Sequence, residues 1–192
     1  KDKQLLFGIT QGGTFDDLRI ESAKAIDAMN FDGNAIGGLG IGESSEQMYQ
    51  AVEVSIPHLN RNKPRYVMGI GKPEQILELV ERGVDIFDSI YPQKNGRHGM
   101  LFTFKGRLDL GQLKHKFDET PIDPDCDCFV CRHFSKGYLR YLLKKKDAVG
   151  MRYLTIHNIH FMQEFMKKIR ESIKEGNFQE FKQEYLRNNK KI

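Results

Sequence analysis

Short apolar runs and helical repeats alternate along the first half of the chain. QLLFGIT (4–10) has the length and composition of a buried strand. The apolar positions that follow, Leu18, Ala25, Ile26 and Met29, recur at helical spacing and predict a helix over 14–29. NAIGGLGIG (34–42) is a second strand that runs into a glycine-rich loop. Ser44 and Gln47 form an S-x-x-Q capping box for a second helix, which must stop before Pro57. RYVMGIG (65–71) is a third strand and loop; Pro73 suits the first turn of a helix through Glu81, and Gly83 suits its C-terminal stop. VDIFDSI (84–90) is the fourth strand. Near-continuous apolar strands alternating with helices predict an α/β architecture, with a parallel sheet covered on both faces.

After the fourth strand the rhythm breaks. MLFTFKGRLDL (100–110) reads as a hairpin and leads into a polar, cysteine-bearing segment, and FSKGYLRYLL (134–143) opens a further helix. Met162, Phe165, Met166, Ile169 and Ile173 share one face of a helix predicted over 159–173. The tail FQEFKQEYLRNNKKI (178–192) predicts a last helix fraying into a basic end.

Composition narrows the picture less than the pattern does. The chain has 192 residues, enough for a real core, and a formal charge of +4, which permits a nucleic-acid partner without requiring one. Its longest apolar runs are interrupted by Gly or Asp, so no membrane span is expected. No basic-apolar leader opens the chain, and the expected setting is the cytoplasm. The first residue is Lys rather than Met, so the chain reads as a piece of something longer.

The cysteines say more. All three, Cys126, Cys128 and Cys131, lie in DCDCFVC. An odd number packed this closely makes no tidy disulfide framework, and a metal is the natural alternative. Zinc needs four soft or borderline ligands, so one must come from elsewhere: His133, His157 or His160. His157, in TIHN, lies just ahead of the predicted 159–173 helix and can fold back from a distance; it is the favoured fourth ligand. Four protein ligands leave no open position, which makes the site structural.

The C-terminal ends of the four strands carry distinctive groups: Gln11-Gly12-Gly13, Gly37-Gly38-Leu39-Gly40, Met68-Gly69-Ile70-Gly71 and Asp88. In parallel α/β proteins chemistry gathers at these ends. Each glycine pair alone suits a tight turn, and Asp88 alone suits a cap. Together they suit a site in which a flat ligand lies against backbone and Gln11 reads an amide or base edge. Directly after Asp88, the residues Gln93, Lys94, Asn95, Gly96, Arg97 and His98 read as a basic loop able to hold phosphates and base edges. The run Lys144-Lys145-Lys146 also suits a helix dipole.

The segments FGITQGG, FDGNAIGGLGIGE, KPRYVMGIGKPE, RGVDIFDSIYPQKNGRHG, CDCFVC and LTIHN, in this order, resemble the C-terminal half of the tRNA-guanine transglycosylase family of the bacterial queuosine type. The resemblance covers nearly the whole chain. It implies the C-terminal half of a (β/α)8 TIM barrel with an inserted zinc-binding subdomain: 1–104 as four βα units, 105–157 as the zinc subdomain, 158–192 as the last barrel helix and tail. It implies exchange of the wobble guanine of a tRNA anticodon for a 7-deazaguanine. Asp88 falls on the nucleophile that attacks the ribose, Gln11, Gly38, Leu39, Gly40 and Met68 on base-pocket positions, and Cys126, Cys128, Cys131 and His157 on the ligands of one structural Zn2+. The stretches Gly69, Ile70, Gly71, Lys72, Pro73, Glu74, Gln75 and Gln93 through Arg97 match RNA-contacting segments that hold the anticodon loop. A homodimer is implied too, with Phe134 and Tyr138 as candidate contacts.

Departures from the family pattern carry their own expectations. Where L-P-T-R-x-x-R is usual, this chain has Tyr91-Pro92-Gln93-Lys94-Asn95-Gly96-Arg97, so Lys94 lacks the planar fork of arginine. Gly40 replaces the usual Ala, and the bulk of Ile41 favours 7-aminomethyl-7-deazaguanine over queuine. Four βα units cannot close an eight-stranded barrel, so activity is expected only with an N-terminal half, fused or separate. Two other readings are a non-catalytic tRNA-binding subunit of a heteromeric transglycosylase and a zinc-stabilised interaction module.

Overall fold

The computed structural model describes residues 4–189, and the basic end expected at Lys190 and Lys191 lies outside them. The chain divides into two compact units, one through Ile90 and one from Tyr91. This division falls before the segment boundary at 104 drawn from sequence, because the short helix and hairpin that follow Ile90 pack on the long helix of the second unit.

In the first unit four parallel strands lie in sequential order: β1 (Phe7–Thr10), β2 (Gly33–Ile36), β3 (Arg65–Val67) and β4 (Ile86–Phe87). Between them run α1 (Asp16–Ala28), α2 (Ser45–Ser55) and α3 (Pro73–Glu81). The alternating pattern of the sequence is thus an α/β fold. The capping box forms in full: Ser44 Oγ accepts from the Gln47 amide at 3.2 Å, and Gln47 Oε1 accepts from the Ser44 amide at 3.0 Å. Gly83 follows α3 at φ 91°, a conformation that suits glycine. β4 is much shorter than the 84–90 run, since its ladder with β3 spans two residue pairs, Tyr66↔Ile86 and Val67↔Phe87.

The expectation of a sheet covered on both faces is corrected. Ile36, Val67 and Phe87 point into one core with Ala23 of α1, Met48, Ala51 and Val52 of α2 and Leu79 of α3. The opposite face holds the registered row Ile9, Ala35, Tyr66, Ile86, where Ile9 is 44 % and Ile86 40 % exposed. Within this unit the helices therefore cover one face only. An apolar strand looks the same whether its second face meets a helix or other strands, so the pattern alone could not distinguish these cases. Helix α1 also buries a different stripe from the one predicted: Leu18 and Met29 are exposed, and Arg19 and Ala23 are buried.

The second unit comprises α4 (Tyr91–Arg97), the antiparallel hairpin β5 (Met100–Thr103) and β6 (Gly106–Asp109), then α5 (Phe129–His133), α6 (Lys136–Lys144), α7 (Ala148–Glu175) and α8 (Phe178–Asn189). Two expectations change. The segment 93–97, read as a loop, is the body of helix α4. It lies flush against α7 because Gly96 has no side chain; a Cβ there would sit 2.9 Å from the Leu154 carbonyl oxygen. The helix read as 159–173 is α7, which starts eleven residues earlier, at Ala148. Its start is a local stop-and-restart: Lys146 takes φ 54°, and Asp147 caps the new helix by accepting from the amides of Val149 and Gly150. Asn158, buried in the middle of α7, donates to the carbonyls of Pro92 and Met100 and accepts from the Phe102 amide, and so ties α4 and β5 to the helix. Among the described residues no helix is long and apolar enough to cross a membrane.

Candidate active site and metal centre

In the first unit the open face of the sheet leads to the strand ends. Two residues beyond the row Ile9, Ala35, Tyr66, Ile86 come Gln11, Gly37, Met68 and Asp88, which the period of a strand places on that same face. Asp88 is exposed there. Its Oδ1 accepts from the Tyr66 hydroxyl at 2.5 Å and from the Gly69 amide at 2.9 Å. The Tyr66 hydroxyl and then the Gly69 amide hold the Asp88 carboxyl below its ordinary range, while the same contact pushes the Tyr66 phenol up to about 12. The result is an ionised, oriented carboxylate with one oxygen free of the Tyr66 and Gly69 bonds.

The glycines make room for this face. A Cβ on Gly37 would lie 2.6 Å from Gln11 Nε2, and one on Gly38 would lie 2.6 Å from Gln11 Oε1, so the Gln11 amide rests against bare backbone. Gly38 and Gly40 have φ of 67° and 76°. The turn after them is closed by Glu43, which accepts from the amides of Gly40 and Ile41. Burial opposes ionisation of Glu43, but the surrounding backbone amides, led by that of Gly40, outweigh it and hold the carboxyl below its usual range.

Of the other residues singled out from sequence, Gln11, Gly38, Gly40, Gly69 and Lys72 are exposed, Met68, Glu74 and Gln75 are half-buried, and Leu39, Ile70, Gly71 and Pro73 are buried. Pro73, Glu74 and Gln75 belong to the first turn of α3 rather than to a loop, and Gln75 donates to Ser45 Oγ at 3.1 Å. On α4, Gln93, Lys94 and Arg97 are exposed, Asn95 is half-buried and Gly96 is buried.

Sequence reasoning missed Arg19, Tyr66 and Glu43. Arg19 is fully buried and donates to three backbone carbonyls: Nε to Gly13 at 2.7 Å, and its two terminal nitrogens to Gly37 at 2.9 Å and Gly38 at 3.4 Å. An arginine next to Leu18 on a surface helix carries no sequence signal of this role. For Tyr66 the signal was available: it precedes Met68 by two residues on a strand and so shares its face.

In the second unit Cys126, Cys128, Cys131 and His157 converge, with all four ligand atoms within 4.8 Å of one another. His157 Nδ1 lies 3.9, 3.6 and 3.4 Å from the three sulfurs. A tetrahedral zinc with bonds of about 2.3 Å to sulfur and 2.0–2.1 Å to nitrogen spaces its ligands about 3.5–3.8 Å apart, so the arrangement fits such an ion. His157 Nε2 lies 3.0 Å from the Phe102 carbonyl, to which it donates as the N–H nitrogen, leaving Nδ1 free as ligand. The thiols hydrogen-bond to one another, which draws the Cys128 thiol down, towards the thiolate that a metal binds, and pushes that of Cys131 up. The other two histidines are engaged elsewhere: His133 Nδ1 with the Phe129 carbonyl, His160 Nε2 with Asp127. The position of His157 differs from the expectation, since it lies well inside α7 and reaches the cysteines from a rigid helix.

The queuine tRNA-ribosyltransferase family model matches residues 1–191. Queuine tRNA-ribosyltransferases of Lachnoclostridium phytofermentans, Clostridium kluyveri and Clostridium acetobutylicum are 48 %, 50 % and 49 % identical to this chain. The alignments cover 95 %, 96 % and 96 % of the chain but 48 %, 49 % and 49 % of those proteins, so the chain spans about half the length of the curated relatives it matches. A matched family model over nearly every residue, with identity near one half, leaves a single assignment: the chain belongs to the queuine tRNA-ribosyltransferase family.

Proposed function

We propose that this chain is the nucleophile-bearing half of a tRNA-guanine transglycosylase. The observation that carries the reading is Asp88: an exposed carboxylate at a strand end, kept ionised by Tyr66 and the Gly69 amide, on the same face as Gln11 and Gly37. In the proposed reaction a carboxylate oxygen of Asp88 attacks C1′ of the wobble ribose. The glycosidic bond breaks, and its electron pair leaves with guanine, which takes up a proton. A 7-deazaguanine, having lost its own proton at N9, then attacks C1′ and releases Asp88 as carboxylate. Holding the carboxyl at low pKa serves both steps, since it must be ionised to attack and stable when it leaves.

The open sheet face supports a barrel. Ile9 and Ile86 are apolar and substantially exposed on the face opposite the helices, as interior positions of a half-barrel would be. Four more strands with their helices, fused or on a separate chain, would bury them and supply the rest of the site. Gln11, Gly38, Leu39, Gly40 and Met68 then form the base pocket, and the bulk of Ile41, 84 % exposed, favours the smaller 7-aminomethyl-7-deazaguanine. The segment Gly69–Gln75 and the exposed Gln93, Lys94 and Arg97 of α4 are read as contacts to the anticodon loop. The four-ligand cluster is read as one structural zinc, which would pin the 126–131 segment to α7 and leave no open position for chemistry. A homodimer is supported by the aromatic surface where Phe134 stacks on Tyr138 and Tyr153, with Tyr138 46 % and Tyr141 58 % exposed.

With the other barrel half supplied, an anticodon hairpin carrying guanine at the wobble position should be captured covalently when base exchange is stalled, and Asp88→Asn should abolish capture. A covalent complex that persists in Asp88→Asn would remove the role of Asp88. A hairpin that binds with no exchange and no capture in the wild type would favour the non-catalytic tRNA-binding subunit.

A further inference from the structure

Arg19 is an unusual residue to find wholly inside the first unit. A guanidinium stays charged, and burying it without a carboxylate at contact distance is costly unless its donors are well used. Burial lowers its pKa, and Glu43 opposes that only through space. A leucine would fill such a position in a helix with no charge to bury. What the guanidinium does instead is bind three carbonyl oxygens, those of Gly13, Gly37 and Gly38, from the loops that follow β1 and β2.

The peptide bond is planar and trans, so a carbonyl turned towards Arg19 turns the N–H of the next residue the opposite way. The units held here are Gly37–Gly38 and Gly38–Leu39. Their N–H groups, on Gly38 and Leu39, therefore point away from Arg19, and among the described residues neither has a hydrogen-bond partner. The Gly37 amide is used, donating to the Thr10 carbonyl at 3.0 Å, and the Gly40 and Ile41 amides are used by Glu43. Two consecutive donors are left free in a stretch whose other amides are occupied. The Gln11 amide lies alongside, within reach of the space a Gly38 side chain would fill. A charge-assisted bond to a carbonyl also polarises its peptide, which strengthens the donor on the far side.

We infer that Arg19 is a positioning residue for base recognition: its guanidinium locks the Gly37 and Gly38 carbonyls on the helix side, so that the Gly38 and Leu39 amides stand as a donor pair for the carbonyl oxygen of a purine-like base. The inference rests on the transglycosylase reading for the identity of that base. It assigns the fixing of that backbone, and with it the base preference read there, to Arg19.

The test compares wild type, Arg19→Lys and Arg19→Met in active enzyme assembled with this chain, measuring KM for guanine, KM for tRNA, and inhibition by 2,6-diaminopurine, which replaces the oxo group with an amino group. In Arg19→Met, KM for guanine should rise roughly three- to tenfold, as for the loss of one hydrogen bond. KM for tRNA, whose wobble guanine occupies the same pocket, should rise by no more than KM for guanine. The preference for guanine over 2,6-diaminopurine should shrink. Arg19→Lys, which keeps the charge and can hold one carbonyl, should fall between and carries the same ratio test if the methionine variant does not fold. An unchanged base preference in the variants, whatever the two KM values do, overturns the inference. Should the wild type exchange no guanine, the transglycosylase reading fails. Titration of the full chain with guanine then decides the donor pair separately: shifted Gly38 and Leu39 amide resonances support it, unmoved ones overturn it.

Discussion

The Tyr66 hydroxyl sits 2.5 Å from Oδ1 of Asp88, joining the third strand of the sheet to the end of the fourth. The bond depresses the carboxyl and raises the phenol to about 12. In Tyr66→Phe the Asp88 carboxyl should move back towards its ordinary range, so under the proposed reaction, with the other barrel half supplied, the acid limb of the pH–rate profile shifts to higher pH. The rate at neutral pH should change by less than about tenfold, because the Gly69 amide still orients the group. An acid limb that stays in place would show that Tyr66 does not control this ionisation.

The same bond predicts a signature in stability. Tyr66 has a folded pKa above its unfolded value, so its contribution is present below the unfolded value, about 10, and is lost as pH rises towards about 12. Asp88 has a depressed folded pKa, so its contribution is present above the unfolded value and lost as pH falls through the folded one. The Tm difference between wild type and Tyr66→Phe should therefore hold steady between about pH 6 and 9 and narrow above about pH 10. A difference independent of pH across that range would mean the hydroxyl stabilises by packing alone.

The metal centre separates histidines that the sequence left as alternatives. His157→Ala should lose bound zinc and lower the melting temperature of the second unit, whereas His133→Ala should retain both. Structural zinc contributes on the order of 10 kcal/mol in small domains, so chelation should unfold the region around 126–131. Atomic absorption on the purified chain, with His160→Ala as a further control, decides it; one equivalent of zinc retained by His157→Ala would refute the ligand set.

Helix α4 depends on one missing side chain and one buried amide. Gly96→Ala places a Cβ against the Leu154 carbonyl and Thr155 Cα, and should cost about 1–3 kcal/mol by overpacking. Asn158→Ala leaves the buried Phe102 amide without its acceptor, for a similar cost of about 1–3 kcal/mol. Chemical denaturation measures both; wild-type stability in either variant would show that α4 is not anchored this way.

If α4 holds RNA, Lys94→Ala and Arg97→Ala should each weaken binding of an anticodon hairpin and reduce the slope of log affinity against log salt by about 1. Lys94→Arg, which restores the planar fork, should bind at least as well as wild type. Salt slopes equal to wild type in both alanine variants would place the phosphate contacts elsewhere.

Much of this protein is legible in its sequence because local rules act over a few residues. The Ser44–Gln47 box, Pro73 at a helix start, Gly83 after a helix end and the spacing of Cys126, Cys128 and Cys131 each specify geometry within one turn or loop. The alternation of apolar runs and helical repeats specifies the α/β class for the same reason. Tertiary structure decided what depends on distant partners. Which sheet face stays open is set by where three helices collect, and apolar strands do not record it. Arg19 is buried because carbonyls from two loops meet it there, against every hydrophobicity rule for a helix face. Helix α7 begins at Ala148 because Lys146 turns the chain and Asp147 caps the next segment, and α4 is helical because Gly96 lets it lie on α7. Long-range contacts override weak local preference wherever several hydrogen bonds or a close backbone approach outweigh the few tenths of a kilocalorie that propensity supplies.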